Sequence, residues 1–362
     1  MKKNLITLAL ALLICAGAAA QQIRYVDAAE LNVIGKVLPT PKPFTRLDTE
    51  KYHFPEKTVK AYADYSTGLA VLFTTDSKTI RAKWVTSPGN MGSNMTGILQ
   101  KGMDLYIKKD GEWVFAGVAR PDTKNVPYDK HEGTIVSNMA EGTKECLLYL
   151  PMFTAVESLH IGIDEGASIA PLENPFRYKI VIKGSSVTHG ASASRPGMSY
   201  VARYGRANNL YVCNLGFSGR SKLQKEYAQV LADTEADAFI FDSFSNPSAE
   251  EIYERFDEFV DIIRAAHPDT PLIFMQTERR ESRNFSLKIE DFECRKQKAA
   301  EEVVRRRMKT DKHMYFITSE DFLGHENNAT VDGSHPSDLG FTFMLESITP
   351  QINKILKKYI KL

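Results

Sequence analysis

The second half of the chain alternates short apolar runs with amphipathic segments, and this pattern constrains the fold more than any other feature. The apolar runs lie at 178–182, 211–217, 238–244, 271–275 and 314–318. Helices are predicted at 249–266, 287–308 and 340–360. In the first helix, Ile252, Phe256, Phe259 and Ile263 recur at helical spacing. The alternation predicts a mainly parallel, five-stranded sheet between two helical layers, a three-layer α/β domain over residues 176–362.

The chain before Pro171 has strand-like patterns instead. Residues 79–85 alternate apolar and charged side chains, the period of a half-buried strand. Apolar triplets at 105–107 and 113–115 flank Asp110-Gly111, a strong hairpin signal. No long helical pattern occurs between residues 30 and 170. We therefore predict an all-β sandwich domain of jelly-roll type over residues 21–172.

The first twenty residues have the composition of an export signal. Lys2 and Lys3 precede an apolar segment, 5–14, and Ala18-Ala19-Ala20 follows it. This pattern predicts a secretory signal peptide, cleaved after Ala20, and a periplasmic or secreted protein. The alternative of a membrane anchor is disfavoured because spanning a bilayer takes about 20 apolar residues. No later stretch is apolar enough to span a membrane.

Charge and cysteine content limit the partners. The formal net charge is +1, so no global field attracts nucleic acid. Cys146, Cys213 and Cys294 form neither a C-x-x-C pair nor a disulfide framework. Cys213 lies within an apolar run and is predicted to be buried. The sequence does not decide whether Cys146 and Cys294 form a disulfide.

Small and polar residues follow four of the predicted strands where each strand ends. They are Ser186 after the first, Asn214, Ser218 and Gly219 at the second, Ser245 and Asn246 after the third, and Asp332 and His335 beyond the fifth. Taken singly, each is an ordinary turn, cap or loop residue. Because the carboxyl ends of parallel strands meet at one edge of a sheet, their convergence favours a catalytic site there.

The residue types match an activated nucleophile. A serine hydroxyl needs a base within hydrogen-bond reach, and His335 is the candidate base for Ser186. Asp332 is the candidate for orienting the imidazole and stabilising its charged form. An oxyanion needs converging donors, for which the Ser186 amide, Gly219 and Asn246 are the candidates. His189, three residues after Ser186, is a second candidate base.

No cofactor or metal is predicted. The eight histidines are scattered with no His-Glu-x-x-His motif, and no Gly-x-Gly-x-x-Gly follows the first strand of the α/β half. A basic cluster, Arg279, Arg280 and Arg283, follows the fourth strand. It is interpreted as a solvated loop or, alternatively, as a contact for an anionic group such as a uronic acid or a phosphate.

These residues carry a resemblance to the SGNH (GDSL-type) hydrolase superfamily of esterases and acylhydrolases. Gly184-Ser185-Ser186 is similar to the family's Gly-Asp-Ser block, and Gly219, Asn246 and Asp332 to His335 are similar to its later blocks. The resemblance implies a flavodoxin-like domain with Ser186 as the nucleophile. Two departures are visible: Ser185 stands where the family has aspartate, and the block around Asn246 lacks the usual Gly-x-Asn-Asp.

The first half carries a second resemblance. Gly102-Met103-Asp104-Leu105-Tyr106 resembles the Gly-x-Asp-Leu-Tyr signature of a β-rich domain that precedes some SGNH hydrolases in secreted bacterial proteins. Asp104 is then either a strand-edge residue or part of the cleft between the domains.

Together, these features predict a secreted serine esterase that removes short acyl groups, acetyl in the first place, from a small-molecule or polysaccharide substrate through an acyl-enzyme. The alternatives are a lipid acylhydrolase or lysophospholipase, and an inactive carbohydrate-binding protein. The sugar, the linkage and the oligomeric state stay open.

Overall fold

The computed structural model describes residues 22–89, 91–124, 126–318 and 321–362. The predicted signal peptide, residues 1–20, lies outside the described residues. Within the described ranges, no helix combines the length and the apolar character needed to cross a membrane.

Two antiparallel sheets form the amino-terminal half. The strands are β1 (Ile23–Asp27), β2 (Asn32–Ile34), β3 (Ala70–Thr75), β4 (Ile80–Thr86), β5 (Met103–Lys109), β6 (Glu112–Ala119), β7 (Lys130–Val136), β8 (Lys144–Tyr149), β9 (Val156–Asp164) and β10 (Ile169–Pro171). One sheet has the order β1-β9-β4-β7, and the other has β10-β3-β8-β5-β6 with β2 paired to β3. Buried side chains from both sheets, such as Phe73 and Trp84, share one core. This arrangement confirms the predicted β-sandwich, to which two short helices are added: α1 (Lys57–Asp64) and α2 (Gly97–Lys101).

The alternating burial along β4 and the tight turn between β5 and β6 both follow from the sequence patterns. In β4, Ile80, Ala82 and Trp84 are buried, whereas the charged residues between them are not. Strands β5 and β6 are joined by Asp110 and Gly111, which have φ values of 52° and 88°. Two successive positive φ values are what a two-residue type I′ hairpin turn requires.

A parallel sheet between two helical layers forms the carboxy-terminal half, as predicted. Its strands are β11 (Arg177–Gly184), β12 (Leu210–Gly216), β13 (Ala238–Asp242), β14 (Leu272–Met275) and β15 (Met314–Ile317). Its helices are α3 (Ser186–His189), α4 (Tyr200–Asn208), α5 (Lys225–Ala232), α6 (Ala249–Ala266), α7 (Leu287–Met308) and α8 (Asp338–Leu356). All strand pairs are parallel in the order β12-β11-β13-β14-β15, which is the flavodoxin-like order. Phe256 of α6 packs in the core on one face, and Phe341 of α8 packs in the core on the other.

Several element boundaries differ from the sequence pattern by one to four residues, and the last helix ends at Leu356 rather than at 360. The third apolar run continues to Phe244, but strand β13 ends at Asp242, and Phe244 is buried beneath the following loop. The last helix begins at Asp338 rather than 340, because the Ser337 hydroxyl accepts a hydrogen bond from the Gly340 amide and caps it.

The strand order creates a crevice at the carboxyl edge of the sheet. Strand β11 lies between β12 and β13, so the chain leaves it on one side and returns on the other. Ligands bind at such a switch point in open α/β sheets. The segments that follow β11, β12 and β13 carry Ser186, Gly219 and Asn246, respectively.

The two halves are joined through a buried carboxylate. Asp104 is fully buried, and its Oδ1 accepts a hydrogen bond of 2.8 Å from the Gly197 amide. Its Oδ2 lies 3.1 Å from Nε of Arg195. A Cβ at Gly197 would collide with the side chains of Asp104 and Tyr106, so this close approach requires glycine. The Gly-x-Asp-Leu-Tyr segment thus fixes the sandwich against the loop that follows α3.

Asp104 is expected to make stability pH-dependent. Burial raises the pKa of its carboxyl to about 6, despite the opposing hydrogen bond from Gly197 and the charge of Arg195. The folded state therefore holds this proton more tightly than the unfolded chain. The resulting stabilisation is complete below about pH 4 and is lost by about pH 6. Asp104→Asn keeps an oxygen for the Gly197 amide but does not titrate.

Relative to Asp104→Asn, the wild-type protein should lose up to about 3 kcal/mol of unfolding free energy between pH 4 and 7. Urea unfolding at several pH values measures this difference. Asp110→Asn, in the exposed β5–β6 turn, is the matched control and should follow the wild type. Parallel wild-type and Asp104→Asn curves across this range would contradict the assignment.

Candidate active site

A tight strand-to-helix turn presents Ser186. It is the first residue of α3 and follows the end of β11 by two residues. A Cβ at Gly184 would collide with the Thr188 side chain, so glycine allows α3 to lie against the strand end. The Ser185 hydroxyl caps the helix. The Ser186 side chain lies at the carboxyl edge with only 6% of the residue exposed.

Three of the predicted residues form a continuous hydrogen-bonded chain. The Ser186 Oγ lies 2.9 Å from Nε2 of His335. The other ring nitrogen, Nδ1, lies 2.8 Å from Oδ2 of Asp332. Asp332 also accepts a 2.9 Å hydrogen bond from the His335 backbone amide through Oδ1. Since Nδ1–H donates its hydrogen bond to the carboxylate, the neutral ring presents its Nε2 lone pair to the Ser186 hydroxyl.

The environment keeps Asp332 ionised. Partial burial raises its pKa, but hydrogen bonds from His335 and then Asn94 lower it by more, so the net pKa lies well below the usual range of a carboxyl group. The charged carboxylate holds the imidazole in place through its hydrogen bond with Nδ1–H.

A carboxylate from the loop after β14 holds the segment that carries Asp332. Glu281 accepts hydrogen bonds from the Ala329 amide at 2.7 Å, the Thr330 amide at 3.1 Å and the Thr330 hydroxyl. The Thr330 hydroxyl in turn accepts from the Gly333 amide at 3.1 Å. This role of Glu281 could not be recognised from the sequence, since nothing in its local sequence separates it from a surface glutamate.

The candidate oxyanion donors surround the same edge. The Ser186 amide is at the start of α3, and Gly219 adopts φ +67° in the turn after β12, a conformation that favours glycine. Asn246 accepts a hydrogen bond of 3.1 Å from the Ser221 amide through its Oδ1. That contact orients the side chain through its oxygen, so the Nδ2 group can still donate to another acceptor.

His189 occupies a different position from the one expected of a second base. Its Nε2 lies 2.8 Å from the Met152 carbonyl oxygen, and its Nδ1 accepts a 3.3 Å hydrogen bond from the Ser218 amide. The ring stacks on Phe153 at 4.0 Å. Complete burial, followed by the charge of Arg46, lowers its pKa well below the usual value, so the ring is neutral. His189 therefore fixes the Ser218–Gly219 turn.

Arg280, part of the basic cluster, makes contacts within the protein, so it is neither a purely solvated residue nor available to bind an anionic substrate. It lies 3.2 Å from Glu293 and 3.3 Å from the Ser245 carbonyl oxygen. The fully buried Lys296 donates to the same oxygen at 3.0 Å. Buried carboxylates require such charge partners. The network fixes the peptide group between Ser245 and Asn246.

Asp242 supports the nucleophile turn from the end of β13. Its Oδ2 accepts hydrogen bonds from Thr188 Oγ1 at 2.8 Å and from Ser185 Oγ at 3.4 Å. Burial, followed by the nearby charge of Glu278, raises the pKa of Asp242 above the usual value of a carboxyl group. A carboxyl group thus contacts Ser185, the residue that stands where the resembled family has aspartate.

The remaining polar and cysteine predictions have simple outcomes. Asn214 bridges backbone groups, donating to the Thr188 carbonyl oxygen at 2.7 Å and accepting from the Gly216 amide at 2.8 Å. Cys213 is buried as predicted, and both Cys146 and Cys294 are free thiols. In the part of the chain that the structure describes, no cluster of three or more His, Cys, Asp or Glu side chains is arranged to hold a metal ion.

Comparisons with known proteins identify the family of both halves. Residues 177–353 match the GDSL-like lipase/acylhydrolase family, and residues 23–169 match the amino terminus of SGNH-hydrolase-type esterases. A crystal structure described as a GDSL-like lipase from Bacteroides ovatus is 47% identical, with a TM-score of 0.89 over 93% of this chain and 98% of that one. The chain belongs to the GDSL-like lipase/acylhydrolase family. This GDSL-like acylhydrolase is accordingly an ester hydrolase.

More distant structures share the fold over most of this acylhydrolase. A salicylyl-acyltransferase from a tetracycline biosynthetic pathway is 18% identical, with a TM-score of 0.70 over 92% of this chain and 97% of that one. A family two carbohydrate esterase from Clostridium thermocellum, in complex with cellohexaose, is 15% identical, with a TM-score of 0.56 over 80% and 92%. Among curated proteins, no sequence matches significantly.

Proposed function

We propose that this acylhydrolase is an exported serine esterase that removes short acyl groups, mainly acetyl groups, from carbohydrates. Ser186 is the nucleophile, His335 the general base and acid, and Asp332 the group that orients the imidazole. The observation that carries the proposal is the chain of contacts from Ser186 Oγ to His335 Nε2, at 2.9 Å, and from His335 Nδ1 to Asp332, at 2.8 Å.

The reaction runs in two halves. As Ser186 Oγ forms a bond to the acyl carbon, its proton passes to His335 Nε2, and the carbonyl oxygen becomes an oxyanion. The Ser186 and Gly219 amides and the Asn246 Nδ2 group donate to that oxyanion. The bond to the sugar oxygen then breaks, and His335 protonates the leaving alcohol. Water attacks the acyl-enzyme, gives a proton to His335 and releases the acid, while Ser186 recovers its proton.

Three features support a short acyl group on a polar substrate. A cleft of about 160 Å³ is lined mostly by polar residues, among them Arg279 and Glu281, and Glu281 also holds the segment that carries Asp332. A carbohydrate esterase bound to cellohexaose shares the fold. The basic and apolar composition of residues 1–20 supports export, which would bring the enzyme to extracellular polysaccharides.

A panel of esters tests the acyl preference. We expect acetate released from acetylated polysaccharides, and a chromogenic acetate cleaved at least about tenfold faster than the octanoate, since a small polar cleft gains little from added methylenes. Acetyl-saccharides should also be better substrates than acetyl esters of simple alcohols. A preference for octanoate and longer chains would overturn the short-acyl proposal.

One observation favours a lipid acylhydrolase as the second candidate. Phe285 and Leu287, at the start of α7, are 100% and 87% exposed, and Ile289 and Phe292 are also exposed. They follow closely after Glu281, which holds the catalytic loop. An exposed apolar cluster near a site is a feature of surface-binding enzymes. Lysophospholipid hydrolysis that exceeds acetate release would select this candidate.

A further inference from the structure

The loop between β4 and α2 of the β-sandwich reaches the candidate triad. Asn94 is half-buried, and its Nδ2 lies 2.9 Å from Asp332 Oδ2, the oxygen that also contacts His335. The same Nδ2 lies 3.4 Å from His335 Nδ1. Because Nδ1 directs its own proton to Asp332, it offers no lone pair to Asn94. The amide therefore donates to the carboxylate.

The orientation of this amide follows from charge. If the side-chain amide of Asn94 were flipped, its carbonyl oxygen would face the ionised carboxylate of Asp332. Both groups accept hydrogen bonds, so neither could donate to the other. With Nδ2 inward, Asp332 has a donor on each side-chain oxygen: the His335 backbone amide on Oδ1, and both Asn94 and His335 Nδ1 on Oδ2. A carboxylate held in this way has little freedom to rotate away from the imidazole.

Both halves of the molecule hold the segment around Asn94. Across the junction, Ser192 Oγ donates to the Asn94 carbonyl oxygen at 2.9 Å, and Thr96 Oγ1 donates to the Ser194 carbonyl oxygen at 2.7 Å. From within the sandwich, the buried Gln100 donates to the Met95 carbonyl oxygen at 3.0 Å. A segment fixed from two sides can place a donor accurately, as positioning groups require.

We propose that Asn94 is a positioning residue for the reaction, and that the β-sandwich completes the active site by holding Asp332 against His335. The inference rests on the proposed function, since it assigns Asn94 a role through the Asp332–His335 pair. It gives the amino-terminal half a part in turnover that is separate from its part in folding.

Asn94→Ala removes one charge-assisted hydrogen bond to Asp332. We expect kcat to fall about 10–100-fold while KM changes less than about threefold, because the contact acts on the base and not on the substrate. Ser93→Ala, which changes an exposed residue of the same segment, is the matched control and should keep wild-type kinetics. Thermal unfolding of each variant verifies that the fold is retained.

Asn94→Asp separates positioning from packing. The introduced carboxyl has the shape of the amide, but when ionised it repels Asp332, and when protonated it can donate to it. The kcat deficit relative to wild type should therefore shrink as the pH is lowered towards 5 and grow as it is raised. In the proton NMR spectrum, the low-field Nδ1–H resonance of His335 should shift in both Asn94 variants and stay in place in Ser93→Ala.

The outcomes distinguish the two proposals. If Ser186→Ala is inactive but Asn94→Ala has the kcat of Ser93→Ala, the Asn94 role is wrong and the proposed function stands. A loss confined to KM, or a pH-independent deficit in Asn94→Asp, also overturns the positioning role. If Ser186→Ala keeps its activity, the proposed function fails, whereas the NMR resonance still reports whether Asn94 contacts the Asp332–His335 pair.

Discussion

Ser186→Ala is expected to lower kcat for ester hydrolysis by about 10⁴–10⁶-fold. The substitution removes the oxygen atom that is proposed to form the acyl-enzyme, while the candidate oxyanion donors stay in place. The Ser186 hydroxyl contacts His335, at 2.9 Å, rather than another residue of the turn. Its loss is therefore expected to leave the packing of the turn intact. Initial rates on a chromogenic acetate measure the effect, and mass spectrometry after a fluorophosphonate probe should show labelled wild type and unlabelled variant.

Ser185→Ala is the matched control for this variant, one residue away in the same turn. Ser185 is fully buried and caps α3 through Oγ, so its loss should cost about 1 kcal/mol of stability. Its hydroxyl contacts Asp242 instead of His335, and the variant should keep turnover within about tenfold of wild type. Equal losses in the two variants, or full activity in Ser186→Ala, would refute the choice of nucleophile.

The sequence predicts the fold of this chain well because both halves depend on local periodicity. Alternating burial along β4 and the helical stripe of α6 are set by which side chains must leave water. Boundaries are less predictable where an apolar residue packs from a loop, as Phe244 does after β13. The helix cap at Ser337 had a visible signal, a serine before an acidic residue and an apolar run.

The placement of Ser186, Asp332 and His335 at one edge could be predicted because a parallel sheet brings the carboxyl ends of all its strands there, whereas the oxyanion role of Gly219 and Asn246 stays a prediction. A rule of that kind says which edge a residue reaches but not which atom it contacts. His189 lies at the expected edge, yet burial against Phe153 makes it a neutral support for the Ser218 turn. Its position in sequence carries no information about that burial.

The supporting residues could not be predicted, since each acts across a long stretch of chain. Asn94 contacts Asp332 from 238 positions earlier. Glu281 holds Ala329 from 48 positions earlier. Asp104 was visible through its motif, but its partner Gly197 becomes apparent only when the sandwich lies against the α/β half. Such contacts have no periodicity, so the local sequence does not record them.

His335→Ala is the second variant with a large expected effect, a fall in kcat of about 10⁴–10⁶-fold. Without the imidazole, Ser186 has no base to take its proton, and the leaving sugar oxygen has no acid to supply one. The ring is partly exposed and borders the crevice, so its removal leaves a space that a small base can enter. Added imidazole should therefore restore part of the activity in a concentration-dependent way.

His53→Ala provides the comparison, since it removes an exposed histidine of the amino-terminal half that has no part in the proposed active site. It should keep wild-type turnover and gain nothing from added imidazole. Rescue of His335→Ala should also depend on Ser186, because an external base has a proton to accept only when the hydroxyl is present. The contrary outcome is that imidazole raises the rate of the Ser186→Ala, His335→Ala double variant as much as that of His335→Ala alone. His335 would then act on some group other than Ser186, and the proton-transfer role assigned to it would be wrong.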